Sequence, residues 1–464
     1  MHVAEKLLCK RGCKGLCTLY PIFRLIRWSV DAMASATWPS LRHDGSPWLP
    51  RDSARAGMAG QPLRARCALL FVKGDWAEYS TTLGLANWSD AIRPCFKCNA
   101  PRQSFMDASE AGPLNFPARE NREGDYRAAC LRCERWVTIS AAQHSTLVGL
   151  LVCDRRADGS HGRTLLRDVP KLGLLARDRL EPSHELHDVG AFELLTHFPH
   201  RVLFWRPSLE TLSRHANPMF ARELGTDPSR CLVIDALHAV NLGIMHVFAR
   251  HAVWYLLLSG VYGGYGNQDE RLQIACLVFR HELMTWYGRR HREHPHEQLT
   301  RLSDFSLKTV GEPVRRKLKA KGAKTYGLLL FLGDELERRA GLLGDECARL
   351  AQASRALERF VVIQNTAGAV MTMAETQACW DALGAHYALT ASLEDFDTPK
   401  RHLVLHMLRM IPTAGNPRKY SCWLDESLNR LLKASCRTVS QATFDSSVLT
   451  AMRELLRGGV KRRA

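Results

Sequence analysis

The pattern of apolar residues changes near residue 235, and this change limits the folds that the chain can adopt. Before it, apolar runs are short and of strand length, as in residues 64–75, 201–205 and 231–235. After it, apolar residues recur with helical spacing almost to the end of the chain. The predicted helices span 236–260, 270–290, 314–340, 343–360, 366–388, 398–411, 423–437 and 444–457. The sequence therefore predicts a mixed α/β amino half and a helical carboxyl half.

The first 63 residues show neither apolar runs of strand length nor apolar residues at helical spacing. Gly, Pro, Ser and Trp are mixed there with Arg, so we expect loops or poorly ordered structure over residues 1–63. The α/β segment is expected over 64–235 and contains a Cys-rich insertion. The helical part begins at residue 236.

The chain is strongly basic, with 64 Lys and Arg against 47 Asp and Glu and a net charge of +17. The basic residues are spread from Lys6 to Arg463 and attract polyanions, with nucleic acid as the first partner to consider and an anionic membrane surface as the second. The alternative is a soluble protein that is merely basic. The most apolar span, 231–260, contains five ionisable residues, which argues against a membrane-spanning helix. DNA is the expected partner, and the sequence leaves the oligomeric state open.

Two Cys-x-x-Cys pairs indicate a metal site. Cys95 and Cys98 form the first pair, and Cys130 and Cys133 form the second. Two residues between thiolates allow both sulfurs to face one ion, and two pairs supply the four ligands of structural Zn²⁺. Two alternatives stay open: four reduced cysteines that are near one another by coincidence, or a single metal pair that is completed by histidine. The 15 cysteines are an odd number without the density of a disulfide scaffold, so we expect an intracellular protein.

Asp75 stands where a predicted strand stops and a predicted helix begins, within Lys73-Gly-Asp-Trp-Ala-Glu78. Ligands of open α/β sheets gather at such strand ends, which makes Asp75 a candidate catalytic carboxylate. An aspartate that precedes a helix is also a typical N-cap. Both interpretations stay open for Asp75.

Asp235 and His238 are three residues apart and are expected to be neighbours on one helix face, with His246 on roughly the same side two turns later. They would form a polar stripe inside an apolar helix. A buried aspartate–histidine pair is most often a satisfied hydrogen bond of the core. It can also orient a catalytic or metal site.

The predicted helix 423–437 carries one acidic and three basic residues on one face: Glu426, Arg430, Lys433 and Arg437. A carboxylate among cations is what metal-dependent phosphodiester chemistry requires, because the carboxylate holds a divalent cation and the basic groups hold phosphates. The alternative is a solvated face with a Glu–Arg pair at i and i+4.

Taken in order, five motifs resemble a multicopy transposon-like family of dinoflagellate algae. They are Lys-Gly-Asp-Trp-Ala-Glu at 73–78, Pro-Cys-x-x-Cys at 94–98, Asp-x-Leu-His-x-x-x-Leu-Gly at 235–243, His-Leu-x-x-His at 402–406 and Trp-x-x-Glu-x-x-Asn-x-x-Leu-Lys at 423–433. More distantly, the order is similar to that of CACTA-type DDE transposases. The resemblance implies an incomplete ribonuclease-H-like α/β core with a zinc-binding insertion, a helical insertion domain over 236–398, and a segment over 399–464 that completes the core.

The resemblance also implies roles for individual residues. Asp75 would be the second catalytic carboxylate and Glu426 the last one, Cys95 and Cys98 would bind zinc, and the Asp235–His238 pair would belong to the insertion that precedes Glu426. Three carboxylates of that family hold two Mg²⁺ ions for attack on phosphodiesters.

The first aspartate of the family pattern has no counterpart in this sequence, because only 74 residues precede Asp75 and the aspartates among them lie outside predicted strands. The implied function is therefore that of a degenerate DNA strand-transfer protein, with Mg²⁺ only if it is active, in the nucleus rather than the cytoplasm. The alternatives are a non-catalytic, zinc-stabilised nucleic-acid-binding protein and a helical interaction protein.

Overall fold

The computed structural model of the protein describes most of the chain outside a central segment. The described residues are 16–83, 85–89, 94–104, 112, 116–126, 151–155, 161–165, 192–197, 200–205, 227–393, 396, 398–438, 443, 447, 448, 450, 453 and 454. Within this part the chain divides into an amino-terminal region, residues 1–233, and a carboxyl-terminal region, residues 234–464. The second region begins close to the residue at which the sequence pattern changes.

The amino-terminal region combines short helices with short strands. Its helices are α1 (Leu16–Ser35), a 3-10 turn (Pro50–Asp52), α2 (Ser53–Gly57), α3 (Trp76–Thr82) and α4 (Pro228–Cys231). Its strands are β1 (Val72–Gly74), β2 (Leu151–Arg155), β3 (His161–Leu165), β4 (Phe192–His197), β5 (His200–Trp205) and β6 (Leu232–Ile234). β2 pairs with β3 and β4 with β5 as antiparallel hairpins, and β1 pairs with β6.

The carboxyl-terminal region is helical, as the sequence predicts. It comprises a π-helix (Leu237–Ile244), α5 (Met245–Leu258), α6 (Gln268–Glu293), α7 (Leu307–Val310), the hairpin β7 (Gly311–Glu312) and β8 (Arg315–Arg316), α8 (Gly322–Leu343), α9 (Asp345–Thr366), α10 (Met373–Leu389), α11 (Pro399–Ala414), a 3-10 turn (Pro417–Tyr420) and α12 (Trp423–Thr438). α6 and α10 begin with capping boxes, in which Asn267 pairs with Glu270 and Thr372 with Glu375. Large buried side chains such as Phe248, Trp254 and Phe279 fill the core of this region.

The prediction of loops over residues 1–63 is wrong for α1, a helix of 20 residues. Segment 63–67 passes across the end of this helix and binds its last carbonyl groups. The backbone N–H of Cys67 donates to the carbonyl of Met33, and Nε of Arg66 donates to that of Ala34 at 2.7 Å. Such long-range bonds leave no periodic signal in the sequence, which explains the error.

The strand predicted over 64–75 is shorter than expected, because only Val72–Gly74 is a strand. Leu70, in the apolar run before it, is 70% exposed. The buried contact forms further along, where the hydroxyl of Tyr79 donates to the carbonyls of Val72 and Val233 at 2.7 and 2.6 Å. One tyrosine thereby ties α3 to both β1 and β6.

The helix predicted over 314–340 begins only at Gly322. Residues 311–316 form the β7–β8 hairpin instead, and Gly311 supplies the positive φ of 85° at which the chain turns out of α7. The helix predicted over 444–457 lies mostly outside the described residues. The ribonuclease-H-like core stays a prediction, since the described strands pair only two by two.

Candidate metal centre and carboxylate–histidine cluster

Cys95 and Cys98 lie in a buried turn that follows α3. They are 2% and 1% exposed. The backbone N–H of Lys97 donates to Sγ of Cys95 at 3.2 Å, and that of Ala100 donates to Sγ of Cys98 at 3.4 Å. Burial and the neighbouring Cys98 raise the pKa of Cys95. A thiol of this kind ionises when a metal ion replaces its proton, and the N–H groups then stabilise the thiolate.

Aromatic and charged neighbours hold this turn in place. The ring of Phe96 makes edge contacts with Trp76 and Tyr79 of α3, with centroids 5.7 and 5.1 Å away. The ammonium group of Lys97 donates to the carbonyls of Ser229 and Leu232 at 2.8 and 3.2 Å. Burial lowers the pKa of Lys97 to about 8. The turn is thus fixed from both sides, which keeps the two sulfurs in place.

His402 and His406 form a second pair, on α11. Residues four apart share one face of a helix, and both imidazoles are buried, at 3% and 0% exposure. Their Nε2 atoms are 3.1 Å apart. Two neutral imidazoles share one proton at this distance, whereas a metal ion binds both nitrogens through their lone pairs.

The four side chains form a cluster that can hold a metal ion. One ligand atom from each of Cys95, Cys98, His402 and His406 lies within 4.8 Å of every other, and all four residues are buried. Zinc bonds of about 2.0–2.3 Å place tetrahedral ligands about 3.3–3.8 Å apart, which is close to the separations within this cluster. Two thiolates and two imidazoles are a common donor set of structural zinc. The chemistry of the donors therefore fits Zn²⁺.

This cluster is compatible with structural zinc at the first cysteine pair, and it sets beside that pair two histidines that the sequence analysis did not assign as its ligands. Cys130 and Cys133 lie outside the described residues, and their role as ligands stays a prediction. The open alternative of one cysteine pair completed by histidine matches the described cluster. The available signal was the spacing of His402 and His406, which places both imidazoles on one helical face, but nothing local connects them with cysteines some 300 residues earlier.

Asp235 is the centre of a second cluster, within the carboxyl-terminal region. It is 2% exposed, and five donors converge on its carboxylate. One oxygen accepts from the backbone N–H of Leu237, from the hydroxyl of Ser421 and from the backbone N–H of Cys422, at 3.2, 2.8 and 2.7 Å. The other accepts from the backbone N–H and from Nδ1 of His238, at 3.0 and 2.5 Å. Asp235 thereby joins the start of the π-helix to the residues that precede α12.

The same cluster brings Glu426 to His238. Nε2 of His238 lies 3.8 Å from Oε1 of Glu426, and the two side chains are 20% and 55% exposed. Because the ionised carboxylate of Asp235 only accepts hydrogen bonds, Nδ1 of His238 carries a proton, and Nε2 is the ring nitrogen that faces Glu426. Burial opposes ionisation of Asp235, but the hydrogen bonds from His238, Cys422 and Ser421 outweigh it and lower the pKa of Asp235. The buried aspartate therefore stays charged and orients the imidazole.

His246 does not join the polar stripe that the sequence predicts. Its Nε2 bonds with the carbonyl of Leu318 at 2.6 Å. The reason is the π-helix that separates His238 from α5, with a break at Gly243, where φ and ψ are −106° and −112°. A wider turn shifts the helical phase, so spacing that assumes 3.6 residues per turn fails.

Asp75 caps α3. One oxygen of its carboxylate accepts from the backbone N–H of Glu78 at 2.6 Å, which is the N-cap interpretation of the sequence. Its catalytic role stays a prediction.

The predicted helix 423–437 is confirmed as α12. Glu426, Arg430, Lys433 and Arg437 are all exposed, as one charged face requires.

No family model, no curated protein and no solved structure matches this sequence. Among the described residues, no helix is both long and apolar enough to cross a membrane. No comparison with a known protein therefore adds to what the geometry of the two clusters indicates about function.

Proposed function

We propose that this protein is derived from a DDE-type transposase and acts on the phosphodiester bonds of DNA. The observation that carries the proposal is the position of Glu426, 3.8 Å from His238 and in the first turn of an exposed charged helix. The same face continues with Arg430, Lys433 and Arg437. A carboxylate for a divalent cation and three cations for phosphates thus stand on one surface.

Each residue has a chemical task in this proposal. Glu426 would hold Mg²⁺, which when bound supplies the charge that activates a water or hydroxyl nucleophile. His238, held by the buried Asp235, orients the carboxylate of Glu426. The basic residues of α12 bind backbone phosphates, and their contribution weakens as salt rises. Zn²⁺ at Cys95, Cys98, His402 and His406 has a structural task. The nucleus is the compartment that suits this activity.

Nicking of supercoiled plasmid DNA tests the proposal. We expect slow nicking that depends on Mg²⁺ or Mn²⁺ and that Glu426→Gln reduces by about 100-fold or more, as for loss of a group that stabilises the transition state. Glu346→Gln is the matched control, because Glu346 is an exposed glutamate in the first turn of α9. Equal nicking by wild type and Glu426→Gln would refute a catalytic role for Glu426.

A second candidate function is non-catalytic, zinc-stabilised binding of nucleic acid. The use of Asp75 as the N-cap of α3 favours it, because a capping carboxylate has a structural task without any metal. This candidate predicts salt-dependent DNA binding that is unchanged in Glu426→Gln, with no nicking by either protein. Absence of DNA binding at ~150 mM salt would exclude both candidates and favour a helical interaction protein.

A further inference from the structure

An extended lysine-rich segment precedes α8 and lies apart from the residues of the proposed function. In residues 317–321 every second residue is buried: Leu318 is 5% and Ala320 is 8% exposed. Lys317, Lys319 and Lys321 are exposed. Alternate residues of an extended chain point to opposite sides, so the three lysines line one solvent-facing edge, about 6.6 Å apart from one to the next. We call residues 317–321 the lysine segment.

Backbone hydrogen bonds fix the lysine segment against α7. The N–H of Lys317 donates to the carbonyl of Val310 at 2.7 Å, and that of Lys319 donates to the carbonyl of Thr309 at 2.8 Å. Both bonds use main-chain atoms, and the buried Leu318 anchors the segment from the other side. The lysine side chains therefore contribute little to holding this conformation, and they are available for a ligand.

The charge of the lysine segment is uncompensated among the described residues. None of the ion pairs found there involves Lys317, Lys319 or Lys321. Arg315 and Arg316 of β8 directly precede it. The first turn of α8 contains no acidic residue, and Lys321 is its N-cap.

Lysine at a helix N-terminus opposes the helix dipole, so this arrangement costs folding free energy unless an anion is bound. A bound anion would offset this cost.

We propose that the lysine segment binds the phosphate backbone of duplex DNA, as a second surface in addition to α12. The inference rests on DNA as the partner in the proposed function. A lysine about every 6.6 Å presents a row of positive charges to the densely charged phosphate backbone. The contact is independent of base sequence, because lysine recognises a phosphate as a point charge.

A membrane surface suits the lysine segment less well than DNA. Binding at an anionic bilayer requires apolar side chains that enter the interface beside the cations. Here the apolar residues of the segment, Leu318 and Ala320, are directed into the core. Val314, at the turn of the β7–β8 hairpin, is 93% exposed, but a single valine does not form an apolar face.

Salt-dependent DNA binding by the full chain tests the inference. Fluorescence anisotropy with a labelled duplex gives the slope of log K against log salt for wild type and for the triple variant Lys317→Gln/Lys319→Gln/Lys321→Gln. Each lost phosphate contact lowers the magnitude of this slope by about 0.9, so we expect a decrease of about 2 to 3. Affinity at low salt should fall by about tenfold or more.

The control variant is Arg280→Gln/Arg292→Gln/Arg359→Gln, which removes the same charge from exposed positions on α6 and α9. It should keep the wild-type slope to within about 1. Two outcomes would overturn the inference. One is an equal decrease of the slope in both triple variants, and the other is a lysine variant that loses binding to phosphatidylserine vesicles but keeps its binding to DNA. If wild type does not bind DNA at all, the proposed function fails. If wild type binds and the lysine variant keeps its slope, only the inference fails.

Discussion

The carboxyl-terminal region contains two histidine sites, and the polar groups that surround the ring nitrogens differ between them. His402 and His406 are fully buried and face each other through their Nε2 atoms at 3.1 Å. His238 is partly exposed and has a carboxylate near each ring nitrogen, Asp235 at 2.5 Å and Glu426 at 3.8 Å. At the first site the sulfurs of Cys95 and Cys98 are the other candidate ligand atoms. At the second site the neighbours of the ring nitrogens are carboxylates.

The first site therefore consists of candidate ligands of structural zinc, whereas hydrogen bonds to Asp235 hold the second site together. Without a metal ion, the imidazoles share a proton and the thiols keep theirs, and a bound cation would replace these protons. A charged aspartate that accepts five hydrogen bonds stabilises its surroundings directly. Loss of metal should therefore disturb the His402–His406 site and leave the Asp235–His238 site intact.

Removal of the metal should have the largest effect. We expect one equivalent of zinc per chain, and we expect Cys98→Ser to lose it and to lower the free energy of unfolding by about 4 kcal/mol or more, since structural zinc contributes about 10–16 kcal/mol of binding free energy in small domains. Atomic emission and urea unfolding measure the two quantities. Cys276→Ser is the control, a buried cysteine outside the cluster, and it should keep the zinc. Zinc at full occupancy in Cys98→Ser would disprove the assignment.

Substitution of Asp235 should have the second largest effect on the free energy of unfolding. Asp235→Asn removes the charge and replaces one acceptor by an NH₂ group, so several of the five donors lose their partner. We expect a loss of about 3 kcal/mol in the free energy of unfolding, without loss of zinc. Ser421→Ala removes only one of the five hydrogen bonds and should cost about 1 kcal/mol. If Asp235→Asn released the zinc, the two histidine sites would not be independent.

The change with pH in the contribution of Asp235 to the free energy of unfolding should be the smallest effect. Because the folded state lowers the pKa of Asp235, its contribution is fully present above the ordinary carboxyl pKa of about 3.9 and is lost as the pH falls through the lower folded value. The difference in unfolding free energy between wild type and Asp235→Asn should narrow as the pH falls below about 4. Protonation of the metal ligands affects both proteins and cancels in this difference. A gap that widens toward low pH would contradict the assigned charge.

Local patterns predicted much of the fold and part of each site. Helical spacing predicted most helices of the carboxyl-terminal region, and the charged face of α12 followed from positions i, i+4, i+7 and i+11. The Asp235–His238 hydrogen bond followed from their separation of three residues. These features depend on neighbours within about two turns, where sequence spacing and distance in space correspond.

Features that depend on distant segments were not predictable in this way. The last carbonyl groups of α1 accept hydrogen bonds from residues 63–67. His246 bonds with the carbonyl of Leu318, because the π-helix changes the direction in which the following side chains point. Neither arrangement alters the local period on which the prediction depended. The prediction over 64–75 failed for a related reason, since an apolar run does not reveal whether a partner strand continues beside it.

Local sequence spacing is enough to identify the ligand types and the local pairs: two thiols with two residues between them, two imidazoles four apart, an aspartate three before a histidine, and a glutamate on a basic helix face. Which of these pairs meet depends on contacts between distant segments. The tertiary structure placed His402 and His406 with Cys95 and Cys98, and it used Asp235 to bring Glu426 to His238. Spacing along a chain fixes geometry over a turn or two, whereas contacts across hundreds of residues are selected by packing of the whole core.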